Sequence, residues 1–389
     1  MFILKKIGKI LVPYFSIDEI NEIKKILSVT DEKQLVSRAQ IDLLITYAEN
    51  KLSQNKLIQF LITLGETVKS SGEYDAALSI FESLVRSTGN ESKLSNIKIN
   101  CYLAIADIYD KQAYWKKSLV LVKKAKNAFK LQNDNKGIAF CENFLGTIYG
   151  ERGNIKKAKS HFELSLSLLT PAKDKALVGI IETNLGILNN MQGNFDEAFT
   201  CFHRSLVIFE QTRDINRIAE LSHNIGMLFT QKNEYDSALS EFDKSITLSI
   251  ELGFLSKLGI DYLSKAFIFT QLKDYQLASA FADKAMEICN KLNDRLSIAD
   301  IYKIKGIIER SLNNYKLSES HLLTSLRINQ ELSNGLNKAE TLYELGKLYV
   351  DMNQKNKALE VFKSSLEYFR NINSSGMVSR LKKAVLQLK

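Results

Sequence analysis

The sequence predicts an all-α protein built as a solenoid of helical hairpins, and three observations carry that prediction. Only two of its 389 residues are proline, Pro13 and Pro171, where average usage of about 5% would be expected of a chain full of strands and tight turns. Apolar residues make up 45% and charged residues 25% of the chain, ample for a packed core and too apolar for disorder. The chain also repeats itself. A small residue recurs at Gly65, Ala106, Gly146, Gly186, Gly226, Ala266, Gly306 and Gly346, first after 41 residues and then six times after 40. A period of this length is the mark of a repeat architecture, in which each unit buries its apolar face only by stacking on its neighbours.

The N-terminal stretch, residues 1–57, reads as helices outside the clear repeats. Met1–Val12 is apolar but interrupted by Lys5, Lys6 and Lys9 and lacks a small-residue cleavage site, so it does not read as a signal peptide. It is expected to be a packing helix ended by Pro13, and its basic amphipathic character makes it the only candidate for contact with a membrane surface. Residues 18–57 are expected to form two or three helices. A degenerate ninth unit would put Ser37, Ile41 and Leu44 in register, although Lys25 would then occupy the small-residue position.

Residues 58–370 hold eight units of about 40 residues. With the recurring small residue at unit position 8, a second one stands at position 20: Ala77, Ser118, Ala158, Ala198, Ala238, Ala278, Ser318 and Ala358. Position 24 is mostly large (Phe81, Val122, Phe162, Phe202, Phe242, Ala282, Leu322, Phe362), and position 27 is small or modest, as at Ser165, Ser205, Ser245 and Ser365. Small residues at positions 8 and 20 let two antiparallel helices approach closely, and the residue one turn beyond position 20 fills the space beside them. Turn formers lie between, as in Gln192-Gly193-Asn194 and Lys232-Asn233-Glu234, each followed by an aromatic anchor for the second helix. Residues 371–389 are expected to form a capping helix with Met377, Leu381, Val385 and Leu388 on one stripe.

The net charge of +9 is unevenly spread. Residues 1–60 carry nine basic and seven acidic residues, residues 371–389 four basic and none acidic, and the intervening 310 residues 40 basic and 37 acidic. Nucleic-acid binding needs a concentrated basic stripe, so the composition argues against it. Four scattered cysteines without a CxxC pair read as buried thiols of a reducing compartment, and the cytoplasm is the expected location. No phosphate-binding loop, zinc-protease motif or nucleophile elbow is present. His161 and Cys201 share position 23 in neighbouring units, but no third ligand accompanies them. No metal, cofactor or enzymatic activity is expected.

The motif L-G-x-x-[YF]…G-[NED]-[YF]-x-x-A-x-x-x-F, clearest in Asn143–Ser165, Asn184–Ser205, Asn224–Ser245 and Leu345–Ser365, resembles the tetratricopeptide repeat (TPR). The resemblance covers about 310 residues and implies a right-handed superhelix. It departs from the family at repeat 6, where Ala266, Lys273 and Ala282 replace Gly, Gly and Phe, and at repeat 7, with Lys305 and Glu309. The 40-residue period is six longer than the common form, and the extra residues are expected to lengthen the second helix. This long form is similar to the repeats of kinesin light chains, of spindle-orientation adaptors and of Rap-type peptide-sensing regulators.

The resemblance further implies that the first helix of each repeat lines a concave groove. Transferred to this chain, the groove positions are Asn143, Thr147 and Glu151 in repeat 3, Thr183, Asn184, Ile187, Asn190 and Met191 in repeat 4, and Glu220, His223, Asn224, Met227, Thr230 and Gln231 in repeat 5. This stretch is largely uncharged. Amide side chains both donate to and accept from a peptide backbone, and methionine adapts to different apolar partners. Asn184 and Asn224 match the asparagine that grips bound peptide in the long-form relatives. The cationic clamp of chaperone-binding TPRs is absent, since comparable positions hold Asn143, Asn184, Glu220 and Asn224. The reading is a non-catalytic scaffold that captures a protein or peptide segment, with two alternatives: a Rap-like peptide-sensing regulator and a self-associating assembly protein. The sequence does not fix the oligomeric state.

Overall fold

The computed structural model describes residues 10–26, 38–70, 73–87, 95–112, 114–292, 294–332, 334–372 and 374–388. The expectations placed on Met1–Lys9 and on Ser37 lie outside them. The described residues contain helices and no strands. Helices Ile17–Ile26 and Arg38–Lys51 precede eight hairpins. The first helices run Gln54–Ser70, Ser95–Lys111, Asn135–Glu151, Lys175–Gln192, Ile215–Gln231, Leu255–Gln271, Arg295–Ser311 and Gly335–Asp351. Their second helices are Tyr74–Ser87, Trp115–Leu131, Ile155–Ser167, Phe195–Thr212, Tyr235–Leu252, Tyr275–Lys291, Tyr315–Glu331 and Lys355–Asn371, and Ser375–Leu388 follows the last. No helix among the described residues is long and apolar enough to cross a membrane.

The chain divides into two compact units, residues 1–141 and 142–389. In the first, Leu11, Phe15, Ile23, Ile41, Leu44, Phe60, Leu64 and Phe81 share one core. Pro13 lies in the turn that ends a helical stretch at residues 10–11, and Ser16 with Glu19 then forms a reciprocal cap on Ile17–Ile26. The second unit holds a series of smaller clusters along repeats 4–8, closed by Leu381 of the last helix packed among Phe362, Phe369 and Met377.

The spacing of small and large residues has a direct steric cause. A Cβ placed on Gly146, Gly186 or Gly226 would lie 2.5, 2.5 and 2.8 Å from a ring carbon of Phe162, Phe202 or Phe242 in the same repeat, well inside the 3.5–4.0 Å of ordinary carbon contact. Position 8 is therefore glycine where position 24 is phenylalanine. Repeat 6 departs in both places at once: Ala266 faces Ala282, and both are fully buried. Repeat 2 pairs Ala106 with Val122 in the same way.

Position 27 carries a hydrogen bond as well as small size. The hydroxyls of Ser205, Ser245 and Ser365 donate to the carbonyls of Gly179, Ala219 and Ala339 at 2.8–2.9 Å, tying each second helix to the start of its own first helix. The turn between helices takes the left-handed conformation at position 15, occupied by Gly153, Gly193, Asn233, Lys273, Asn313 and Asn353, where glycine and asparagine are least strained. Asp and Asn side chains cap following helices, as Asp214 does on Arg217 N–H.

The added length is not confined to the second helix. In repeat 5 the second helix reaches Leu252, and the next first helix already starts at Leu255, four residues before position 1 of repeat 6. Both helix types thus span 17 or 18 residues in repeats 4–8. In repeat 3 the second helix, Ile155–Ser167, is shorter, with 13 residues, and stops just before Pro171. All four cysteines are buried and none forms a disulfide, and burial pushes the thiols of Cys101 and Cys289 up to about 12.

Candidate functional site

First helices of neighbouring repeats touch from repeat 4 to repeat 8, and side chains about 40 residues apart meet across them. Asn184 donates to Asn143 at 2.9 Å, Ser264 to the Met227 sulfur at 3.8 Å, and Lys303 to Glu340 at 2.6 Å. Over repeats 3–8 the first helices therefore form one continuous surface.

The residues nominated from sequence divide into three groups on it. Asn143 and Asn184 are bonded to each other, so each amide retains further donor and acceptor capacity. Thr147, Thr183 and Thr230 direct their hydroxyls to helix carbonyls one turn back, and Thr183 also meets Ser205 at 2.7 Å. These threonines spend their bonds within the array. Asn190 is buried with its side-chain oxygen unpartnered, Asn224 is half-buried, and Gln231 is exposed. Met191 and Met227 are 49% and 36% exposed, while Ile187 is half-buried against the repeat 4–5 core.

His223 is placed differently from a free contact residue. Its Nδ1 lies 2.7 Å from Asp261 in repeat 6, and the other Asp261 oxygen lies 2.7 Å from the Ser245 hydroxyl, whose single proton it shares with the Ala219 carbonyl. Burial, then the neighbouring Lys257, holds the His223 pKa below the ordinary value, against the opposing pull of Asp261 and Glu220. The neutral ring donates Nδ1–H to the carboxylate. Burial likewise lowers Lys257. Glu220 pairs with Arg217 at 2.7 Å.

Position 9 shows what the sequence reading missed. Ile187, Met227, Phe267 and Ile307 stand there in four successive repeats, with Phe267 38% exposed and Ile307 half-buried. Thr147 and Lys347 occupy the same position on either side. The four make a row of apolar side chains, one per helix, on axes about 8–10 Å apart. Beside them at position 6 run Asn184, Asn224 and Ser264. Reading one unit position down all the repeats would have found Phe267 and Ile307.

His161 and Cys201 do not come together. His161 pairs with Glu142 at 2.6 Å and stacks on Tyr149, whereas Cys201 contacts Arg204 and Asn189. In repeats 7 and 8 the charges on the first-helix surface are paired: Lys303 with Asp300 and Glu340, and Arg310 with Glu344. Burial opposes the Lys303 charge, yet the two carboxylates raise its pKa above the usual lysine value. The first unit holds a cleft of about 660 Å³ between its own helices, lined by Tyr102, Tyr109 and Lys117 among others. None of the nominated residues borders it.

A first-helix surface built by stacked hairpins with this small–large register defines a tetratricopeptide-repeat array. The tetratricopeptide-repeat family profile matches residues 177–251 and 297–371. The array resembles those of Rap proteins. A Rap protein complexed with competence and sporulation factor is similar over 95% of this chain and 98% of its own, with a TM-score of 0.64 and 14% identity. The Rap conjugation gene regulator of plasmid pLS20, in complex with the Phr* peptide, is similar over 85% and 93% (TM-score 0.59, 16% identity). Aspartyl phosphate phosphatase F from Bacillus subtilis is similar over 80% of each chain, with a TM-score of 0.53 and 18% identity. At these identities the likeness is one of fold. No curated protein matches the sequence.

Proposed function

We propose that this protein is a non-catalytic scaffold of the cytoplasm that captures an extended protein or peptide segment on the first-helix surface of repeats 3–7. The observation that carries the reading is the apolar row Ile187–Met227–Phe267–Ile307, exposed at Met227 and Phe267, with Asn184, Asn224 and Ser264 beside it. Apolar side chains of a ligand lie on the row, and Asn184 and Asn224 hold its backbone. Met227 and Phe267, exposed at the middle of the row, leave apolar surface for a ligand to cover.

The test uses a partner isolated by pull-down with the full chain. Replacing Asn184 and Asn224 by Ala removes two backbone contacts, each worth about 0.5–1.5 kcal/mol, so affinity should fall by roughly 5- to 150-fold. Unchanged affinity would put the site elsewhere on the array.

A second reading has its own support, because one Rap neighbour is described in complex with a peptide and another with competence and sporulation factor. Here the captured peptide is a signal, and the N-terminal helices act on a further protein. A change in small-angle scattering on peptide addition supports this regulator over a passive scaffold. A mass that rises with concentration in analytical ultracentrifugation would instead favour self-assembly.

A further inference from the structure

At its C-terminal end the first-helix surface changes character. Position 9 switches from the apolar Ile307 to Lys347, and the last helix, Ser375–Leu388, comes alongside. Between them lies a cleft of about 460 Å³, within the range of sites that enclose a ligand group. Tyr343, Lys347 and Val350 line it from repeat 8, at a spacing that puts them on one helix face. The last helix contributes Arg380, Lys383, Ala384, Gln387 and Leu388, again one face, and Leu381, on the core side beside Leu388, anchors that helix.

The charge of this cleft is unbalanced. Four cations line it, Arg310, Lys347, Arg380 and Lys383, against the single carboxylate of Asp351. Glu344 engages two of them, accepting from Arg310 at 3.1 Å and lying 3.0 Å from Lys347. Arg380 and Lys383 are exposed and have no ion-pair partner among the described residues. Val350, Ala384 and Leu388 give the same cleft an apolar wall.

We propose that this cleft is a second recognition site, which takes the acidic end of the captured segment: one apolar side chain against the wall and carboxylates on Arg380 and Lys383. The proposal rests on the reading above, because the cleft continues the surface that carries the apolar row. The clamp missing from repeats 3–5 has no bearing here, since the cations come from repeat 7, repeat 8 and the closing helix. Carboxylate recognition at this end also gives the ligand a direction along the array, with its apolar part over repeats 4–7 and its acidic end at repeat 8.

The experiment selects twelve-residue peptides from a random phage-displayed library on the full chain. The tightest binder is then labelled with fluorescein and titrated by anisotropy. Selected peptides should carry Asp or Glu clustered at one end and apolar residues elsewhere. The double variant Arg380→Glu/Lys383→Glu should weaken binding by about tenfold or more, with the loss shrinking in high salt. Lys382→Glu is the control, an exposed change on the same helix outside the cleft, and should have little effect. Selected peptides without acidic clustering, or equal affinities for the double variant and the control, would overturn the proposal. Phe267→Glu separates the two readings. If it leaves binding intact while the charge reversal weakens it, the cleft stands and the apolar row is not the site; the reverse pattern keeps the row and removes the cleft.

Discussion

Gly226→Ala should destabilise the protein, yet the same change should stabilise it once Phe242 has become Ala. The Cβ added at residue 226 would sit 2.8 Å from Phe242 Cε1 and 3.0 Å from both Cδ1 and Cζ. The ring is fully buried and packs against the His223 imidazole with centroids 5.5 Å apart, so it has no open side to move into. An overlap of this size costs about 1–3 kcal/mol, offset by about 1 kcal/mol of better helix propensity. Phe242→Ala alone leaves a cavity and costs about 3–5 kcal/mol. With the ring gone, the clash vanishes and the propensity gain remains, so adding Gly226→Ala should restore about 1 kcal/mol. The coupling between the two sites is then roughly 1–3 kcal/mol. Arrays unfold in parts, so the assay is hydrogen exchange of the repeat 5 amides in each of the four proteins. Additive effects, with Gly226→Ala costing the same in both backgrounds, would refute the steric account of the repeat's register.

Two further outcomes follow from particular residues. Because the His223 pKa is held below its ordinary value of 6.5, the unfolded chain takes up that proton first as the solution is acidified; above about pH 6.5 the residue is neutral in both states and has no effect on stability. Urea midpoints should therefore fall as pH drops below that value, and His223→Gln should flatten that part of the profile; an identical acid-side slope in the variant would exclude His223 as its source. Lys273 holds a left-handed turn with φ of 63°, a conformation that costs an ordinary residue about 1–2 kcal/mol. Lys273→Gly should raise the thermal midpoint, which differential scanning calorimetry can measure, and an unchanged or lower midpoint would show that the lysine is not strained there.

The fold was legible because a repeat states each packing requirement many times. Glycine at unit position 8 and phenylalanine at unit position 24 recur together because neither tolerates a larger neighbour, and even repeat 6, which looks like a failure of the motif, obeys the rule with Ala266 opposite Ala282. Helix ends were less legible: the extra six residues of each unit went to both helices, since the chain between Leu252 and Leu255 needs only a two-residue turn. At the site, residue type alone did not separate a side chain that meets solvent from one that meets the next repeat. His223 and Met227 sit one turn apart on the same helix, yet His223 is committed to Asp261 while Met227 is exposed. That difference is set by the offset between stacked helices, which brings residues 37 to 41 apart in sequence into contact, and no single unit encodes it. The same offset explains why Phe267 was overlooked. It belongs to the repeat with the weakest motif, but the residues that weaken the motif lie in the hairpin core and the turn, and the exposed face of that helix is free to carry the widest apolar side chain of the row.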